Sequence, residues 1–461
     1  MKLYDTQSRQ LKETANSKGD LSMYCCGPTV YRDAHVGNLR TFMLADLISR
    51  VAGLSGVKVT LIQNITDVGH MSEDFAEDDK VLSQASIEKI SPFEIARKYE
   101  EKFHKDLSLL NIATAAAYPR ASESIELMQS MITDLMHKGF AYVGGDKTVY
   151  FDSQKFAGYG DISGNKLDSL KPGHRYEYHN DGAKKFHADW ALWKTAGERS
   201  EMIWDSPWGP GFPGWHIECS AMSMELLDRH VDVHVGGIDL RFPHHENERA
   251  QSVALGKTFA QHWMHNGFVV DLEGEKMSKS LGNVANLLDL LEHYDARAYR
   301  MLLLQTHYRS PVRVGQDNID ACVTALAGLD SFAARTSAHS AGTPDSEVVQ
   351  NFRTAMDNDL DTTAAMALVF DSVRRANAAM DADDSATVSS VRAAVIEILG
   401  ALGLELSIGD DIDADIVAKG VALDAARAAK DFAAADSIRN ELQAAGYVVE
   451  TTKDGTRVRR G

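Results

Sequence analysis

The sequence predicts an α/β protein: a doubly wound, Rossmann-like parallel-sheet catalytic domain carrying an insertion, then an α-helical bundle and a small C-terminal α+β domain. Three observations predict it. Strand and helix patterns alternate through the first hundred residues, strand patterns return at Val231, Val233 and Val235, and beyond about residue 315 the patterns turn helical until a short terminal strand.

Leu21 to Cys25 reads as a short strand, broken by Gly27-Pro28-Thr29. Leu39, Phe42, Met43, Leu47, Ile48 and Val51 then recur at helical spacing and stop near Gly53. Val57, Val59 and Leu61 alternate in the next strand, so residues 1–110 form the first half of the catalytic domain. A helix over Ser122 to Lys138 and a hairpin around Gly144-Gly145-Asp146 mark residues 111–200 as a connective insertion. Residues 201–315 form the second half, with its strand ending at Gly236-Gly237. Arg335 to Asp345 is a polar linker, 346–404 a helical bundle, and the acidic run Asp411-Ile412-Asp413-Ala414-Asp415 a further break. In the last domain, 411–461, two Ala-rich helices (Ile416–Ala429 and Phe432–Ala445) precede a strand at Tyr447 to Val449. Lys453, Arg457, Arg459 and Arg460 then stand against one acid, Asp454, and read as a flexible basic end suited to RNA.

Composition narrows the function classes. No run of about 18 uncharged apolar residues exists, so no membrane span is expected. The N-terminus carries Arg9, Lys12 and Glu13 and lacks an apolar signal core, which makes a cytoplasmic location the expectation. The four Cys, at 25, 26, 219 and 322, are too few and scattered for a disulfide framework and suit metal or thiol chemistry. A net charge of −18 argues against indiscriminate nucleic-acid binding but leaves local basic patches free to contact RNA.

Two short signatures carry the nucleotide chemistry. His35-Val36-Gly37-Asn38 opens a helix after a strand and loop. There, unpaired N–H groups and the positive dipole end suit phosphate, Gly37 allows close approach, and His35 and Asn38 can donate to phosphoryl oxygens. Far downstream, Lys276-Met277-Ser278-Lys279-Ser280, bracketed by Gly274 and Gly282, reads as a flexible cationic loop. It can fold over a triphosphate and balance charge as pyrophosphate leaves, with Lys276 and Lys279 in catalytic positions. Alone, each string also fits an ordinary helix start or surface loop; in this order and separation they point to ATP. Neither is a P-loop or dinucleotide fingerprint.

A metal constellation lies in the same region. Cys26 follows the first strand, Cys219 lies in Trp215-His216-Ile217-Glu218-Cys219, and His244 and Glu248 fall one helical turn apart after Pro243. Two thiolates, an imidazole and a carboxylate fit tetrahedral Zn²⁺. Position alone leaves His245 and Glu246, or His216 and Glu218, as competing donors.

Taken together, these strings resemble the bacterial cysteinyl-tRNA synthetases, a class I aminoacyl-tRNA synthetase family, nearly end to end. The resemblance runs through Met23 to Tyr31, Asn64-Ile65-Thr66-Asp67, Pro213 to Met222, Phe242 to Glu248, Lys276 to Asn283, Ala355 to Thr362 and Lys430 to Asp436. It implies zinc on Cys26, Cys219, His244 and Glu248, and a cysteine pocket lined by Thr66, Trp215, His234 and Asp239. It also implies ATP, with Mg²⁺, on His35, Gly37, Asn38 and Lys279. The implied partners are L-cysteine, ATP and tRNA-Cys, the expected working unit is a monomer, and the C-terminal domain is expected to bind the anticodon. Three departures stand out: Asn38 where some relatives carry His, Val68-Gly69-His70-Met71 where many carry an acidic pair, and Cys25 where Val is common.

A mycothiol-type ligase joining cysteine to an amino-sugar would share the zinc and adenylate logic, but a small acceptor needs no helical and C-terminal module after residue 345. An idle zinc-bearing RNA-binding protein conflicts with both intact ATP signatures.

Overall fold

The computed structural model describes residues 1–14, 19–69, 79–170, 183–228, 230–271, 274, 290–291, 293–339, 342–407, 414–452 and 455–460. By Cα packing these fall into two compact units. The first comprises Met1–Ile319, Asn351–Ala367 and Ala401–Gly403; the second comprises Asp320–Gln350, Leu368–Gly400 and Leu404–Gly461.

The first unit opens with an antiparallel hairpin, β1 (Lys2–Asp5) and β2 (Gln10–Glu13). β3 (Asp20–Cys25) then leads into α1 (Val36–Leu54), and β4 (Lys58–Gln63) runs parallel to β3. Every apolar residue of the predicted α1 stripe is buried, from Leu39 to Val51. Helices α2 (Lys80–Glu88), α3 (Pro92–Leu109) and α4 (Ile125–His137) follow, α3 starting on a Ser91–Glu94 capping box. The predicted Ser122–Lys138 helix is thus shorter, because a 3₁₀ turn, Ala121–Glu123, occupies its first residues.

The insertion carries its own antiparallel sheet in the order β5-β6-β7-β8: Ala141–Val143, Val149–Phe151, Trp190–Thr195 and Gly211–Pro213. α5 (Trp215–Leu226) leads back to β9 (Val231–Gly237), which pairs parallel with β3. A π-helical turn, Arg241–His245, kinked at Phe242, runs into α6 (Glu246–Ala254), and β10 (Ala260–Asn266) pairs parallel with β9. The central sheet is therefore β10-β9-β3-β4, the doubly wound arrangement expected. β9 is buried along its whole length, as a parallel strand covered on both faces must be. β3 and β9 lie side by side where the two halves of the sheet meet, and such a switch point opens a crevice beyond the carboxyl ends of the strands.

The second unit is helical up to its last hairpin. Gln316–Arg335 and Ser346–Asp357 each start in one unit and end in the other; Ser385–Ala401, Ala414–Ala428 and Phe432–Ala444 supply further helices. Leu423, Ala435, Leu442, Val449 and Val458 form the small core at its end. One expectation is corrected here. The basic end is not a free tail: Gly455–Arg460 pairs antiparallel with Tyr447–Thr452, and Val458 inserts into that core. The alternating Arg457-Val458-Arg459 pattern is short and charge-dominated, which hid the strand. No helix among the described residues is long and apolar enough to cross a membrane.

Candidate active site

The crevice beyond β3 and β9 is a cleft of about 290 Å³. Its lining includes Cys26, His35, Gly37, Asn38, Trp215 and Asp239, so residues far apart in the chain reach one cavity.

At one end Cys26 opens onto the cleft, with the other donors buried beside it. Cys26 follows β3, and its backbone N–H donates to Val235 O of β9 at 3.2 Å, which fixes the loop at the switch point. Gly27 is required beside it: a Cβ there would fall 1.6 Å from Asn64 O. Cys219 comes from the first turns of α5, His244 from the π-helical turn and Glu248 from the first turn of α6. Cys26, Cys219, His244 and Glu248 present donor atoms all within 4.8 Å of one another, and all four are buried. Cys26 Sγ lies 3.8 Å from Cys219 Sγ and 3.6 Å from Glu248 Oε1. A tetrahedral zinc with about 2.3 Å bonds to sulfur sets two thiolates roughly 3.8 Å apart, so the thiol pair fits that ion. A second group also converges, Cys26, His234, His245 and Glu248, so geometry retains His245 as a competing donor.

The surrounding bonds orient these rings. His244 Nε2 lies 2.9 Å from Glu248 Oε1, while its Nδ1 is 2.9 Å from His216 Nδ1. A partner on the far nitrogen is how proteins aim a ligand imidazole. His245 Nδ1 is likewise tied to His265 Nε2 at 2.8 Å, and His265 Nδ1 to Thr6 Oγ1 at 2.8 Å. Burial would lower His244, but Glu248 and Cys219 overcome it and hold its pKa at about 10. Burial likewise favours a neutral Cys219 thiol, yet the hydrogen bond with Cys26 and the neighbouring His244 bring it below its ordinary value. Cys26 is pushed well up by burial and by the adjacent Cys219 and Glu248. Only one of the two thiols therefore ionises readily without further countercharge, the situation a divalent cation resolves.

The remaining predicted pocket residues divide. Trp215 stands at the start of α5, faces the cleft and stacks on His244, with ring centroids 4.2 Å apart. Asp239 also lines the cleft. Thr66 and His234 are buried and are not among the lining residues. Thr66 Oγ1 donates to Glu218 at 3.0 Å, and His234 Nε2 lies 2.8 Å from Glu248 Oε2. Glu218, which burial pushes well above the carboxylate range, is thus bound to Thr66 and stands outside both donor groups.

At the other end is the start of α1. His35 is its N-cap, and its Nδ1 accepts from Gly37 N–H at 3.0 Å. That bond leaves the ring proton on Nε2, the nitrogen able to donate to a phosphoryl oxygen. Gly37 makes the cap possible, since a Cβ there would sit 2.8 Å from His35 Cε1. Asn38 is exposed. The lysine loop, Lys276 to Ser280 with Lys279, lies outside the described residues, as does His70.

Sequence reasoning missed Arg40. It is buried, with Nη1 donating to Gly267 O and Phe268 O, both at 2.9 Å, and Nη2 to Ser310 O at 2.7 Å and His307 O at 3.2 Å. It ties α1 to the Gly267-Phe268 wall of the cleft. A charged residue directly beside the apolar stripe of α1 was the available signal. His265, which braces His245, carried none beyond its neighbourhood, and His216, read from the sequence only as a competing donor, instead braces His244.

Residues 12–324 match the family described as tRNA synthetases class I (C) catalytic domain, 351–407 the DALR domain, and 424–459 the cysteinyl-tRNA ligase anticodon binding domain. A cysteine–tRNA ligase of Caldicellulosiruptor saccharolyticus is 39% identical over 477 residues, covering 100% of both chains. One of Halorhodospira halophila is 40% identical over 455 residues, covering 96% of this chain and 95% of its own. Among solved structures, Mycobacterium tuberculosis methionyl-tRNA synthetase in complex with methionyl-adenylate shares the fold. Its TM-score is 0.58 at 15% identity, over 83% of this chain and 89% of that one.

Proposed function

From the premise that the chain belongs to the cysteine–tRNA ligase family of class I aminoacyl-tRNA synthetases, we propose how its cleft carries out that family's reaction on cysteine, ATP and tRNA. The supporting observation is the buried donor group Cys26, Cys219, His244 and Glu248, which reaches through Cys26 the cleft that the start of α1 also lines. ATP, taken up with Mg²⁺, places its phosphates against His35, Gly37 and Asn38, where His35 Nε2–H and the first N–H groups of α1 meet developing negative charge. The cysteine carboxylate oxygen attacks the α-phosphorus, the bond to the β-phosphate oxygen breaks, and pyrophosphate leaves. Lys276 and Lys279 neutralise that leaving group. The terminal ribose hydroxyl of the tRNA then attacks the acyl carbon, and AMP departs.

Amino-acid choice rests on the sulfur end. Shape alone separates serine from cysteine by only about 1–3 kcal/mol. Zinc held by Cys26, Cys219, His244 and Glu248 would add direct ligation of the substrate thiolate, which a serine hydroxyl matches poorly. Two thiolates make this set softer than the one containing His234 and His245, and so favour it. Trp215 and Asp239 border the substrate, Trp215 also fixing His244 by stacking; Thr66 and His234 act from beneath, through Glu218 and Glu248. The enzyme works as a monomer in the cytoplasm.

The amino-sugar ligase is not favoured, because residues 424–459 match an anticodon-binding domain that a small acceptor has no use for. Charging total tRNA with labelled cysteine and identifying the acceptor tests the assignment: one cysteine-accepting tRNA is expected. Transfer to an amino-sugar with no charging overturns it.

A further inference from the structure

The cleft's countercharge raises a question that the two signatures leave open. A triphosphate brings several negative charges, yet the only permanent cations among the described lining residues are Arg32 and Lys80. Both sit over one ring: the Arg32 guanidinium carbon lies 5.0 Å from the Tyr31 centroid, and Lys80 Nζ lies 5.9 Å from it. Arg32 is half-buried and lies three residues before the His35 cap. The adjacent carboxylate does not neutralise it, since Asp33 is bonded to Lys102 Nζ at 2.8 Å. Among the described residues Arg32 has the ring stack and no hydrogen bond or ion pair. A guanidinium removed from bulk water without an acceptor is costly, and a ligand oxyanion would supply one.

The geometry points to Arg32 and Lys80, set on Tyr31, as a binding site for the β- and γ-phosphates of ATP and for the pyrophosphate that leaves. This assignment rests on the synthetase reading above and adds residues that neither signature contains. Burial lowers the Arg32 pKa from its ordinary value, as expected for a charge awaiting its counterion. The tyrosine ring fixes the fork, and Lys80 at the start of α2 adds a second charge from a separate element.

The test uses the full-length enzyme and cysteine-dependent ATP–pyrophosphate exchange. Arg32→Ala should raise KM for ATP about tenfold, with KM for cysteine and the thermal midpoint unchanged, and Lys80→Ala should act in the same direction. Arg32→Lys should recover part of the loss, because charge is kept while the fork is lost. Unchanged KM for ATP in both alanine variants overturns the proposal. So does a rise confined to KM for tRNA in the charging assay, which would assign the cations to the phosphodiester of the tRNA end. Equilibrium dialysis of ATP against unaltered and Arg32→Ala protein needs no amino acid. It therefore judges this site even if cysteine fails to support exchange and the synthetase reading falls.

Discussion

The two ends of the cleft are built on opposite principles. The sulfur end is complete before any substrate arrives: its donors are buried, within bonding reach of one another, and braced by His216, His265 and Thr6. The phosphate end is open: Asn38 is exposed, Arg32 rests on a ring alone among the described residues, and His35 takes its orientation from the Gly37 backbone N–H. Discrimination between two amino acids that differ by one atom needs donors that do not adapt, because a yielding site would accept both. Charge neutralisation during phosphoryl chemistry needs groups that gain partners only as the substrate enters.

This contrast can be broken from either side. The largest effect is expected from Cys219→Ser. It should abolish both bound metal, by elemental analysis, and cysteine-dependent exchange; full exchange by metal-free protein would refute the role given to the sulfur end. Next, Lys279→Ala should lower the rate of adenylate formation by about 10²–10³-fold while cysteine binding stays close to normal. An equal loss of cysteine affinity would mean that the two ends are not separable. His216→Ala should follow, weakening metal affinity by about 10–100-fold through a misaimed His244, with the ATP parameters little moved. Competition with a zinc-chelating dye measures it. Gly37→Ala should be the mildest, since the new Cβ only pushes the His35 ring aside. An approximately tenfold fall in kcat/KM for ATP, about 1.4 kcal/mol, is expected with zinc retained.

The same division governs what the sequence could reveal. Helix α1 was legible because its apolar residues keep helical spacing around a two-sided core, and the second half of the sheet was legible from the returning valines. The donor types were legible because Cys, His and Glu are rarely so dense for packing alone. Which imidazole serves was not: His244 and His245 are neighbours, and the kinked turn at Phe242 brings both within reach of Cys26 and Glu248. The first hairpin was missed because β2, Gln10 to Glu13, is mostly exposed and lacks a clear alternation. Arg40 was missed because its acceptors are backbone carbonyls more than two hundred residues away, and carbonyls leave no trace in side-chain chemistry. Arg32 was passed over because one arginine in a loop has no pattern until its neighbours are placed.

Cys26 and Cys219 are 193 positions apart, and the antiparallel sheet of the insertion lies within that interval. An ion gripping both would act as a removable staple across a very large loop. Bringing such distant points together costs chain entropy that grows only slowly with length, so one multidentate ion can offset much of it. A chain cut in the connecting segment should then hold together, and keep its halves of the sheet in register, for as long as the ion stays in place. Metal supply would control the durability of the enzyme as well as its choice of amino acid.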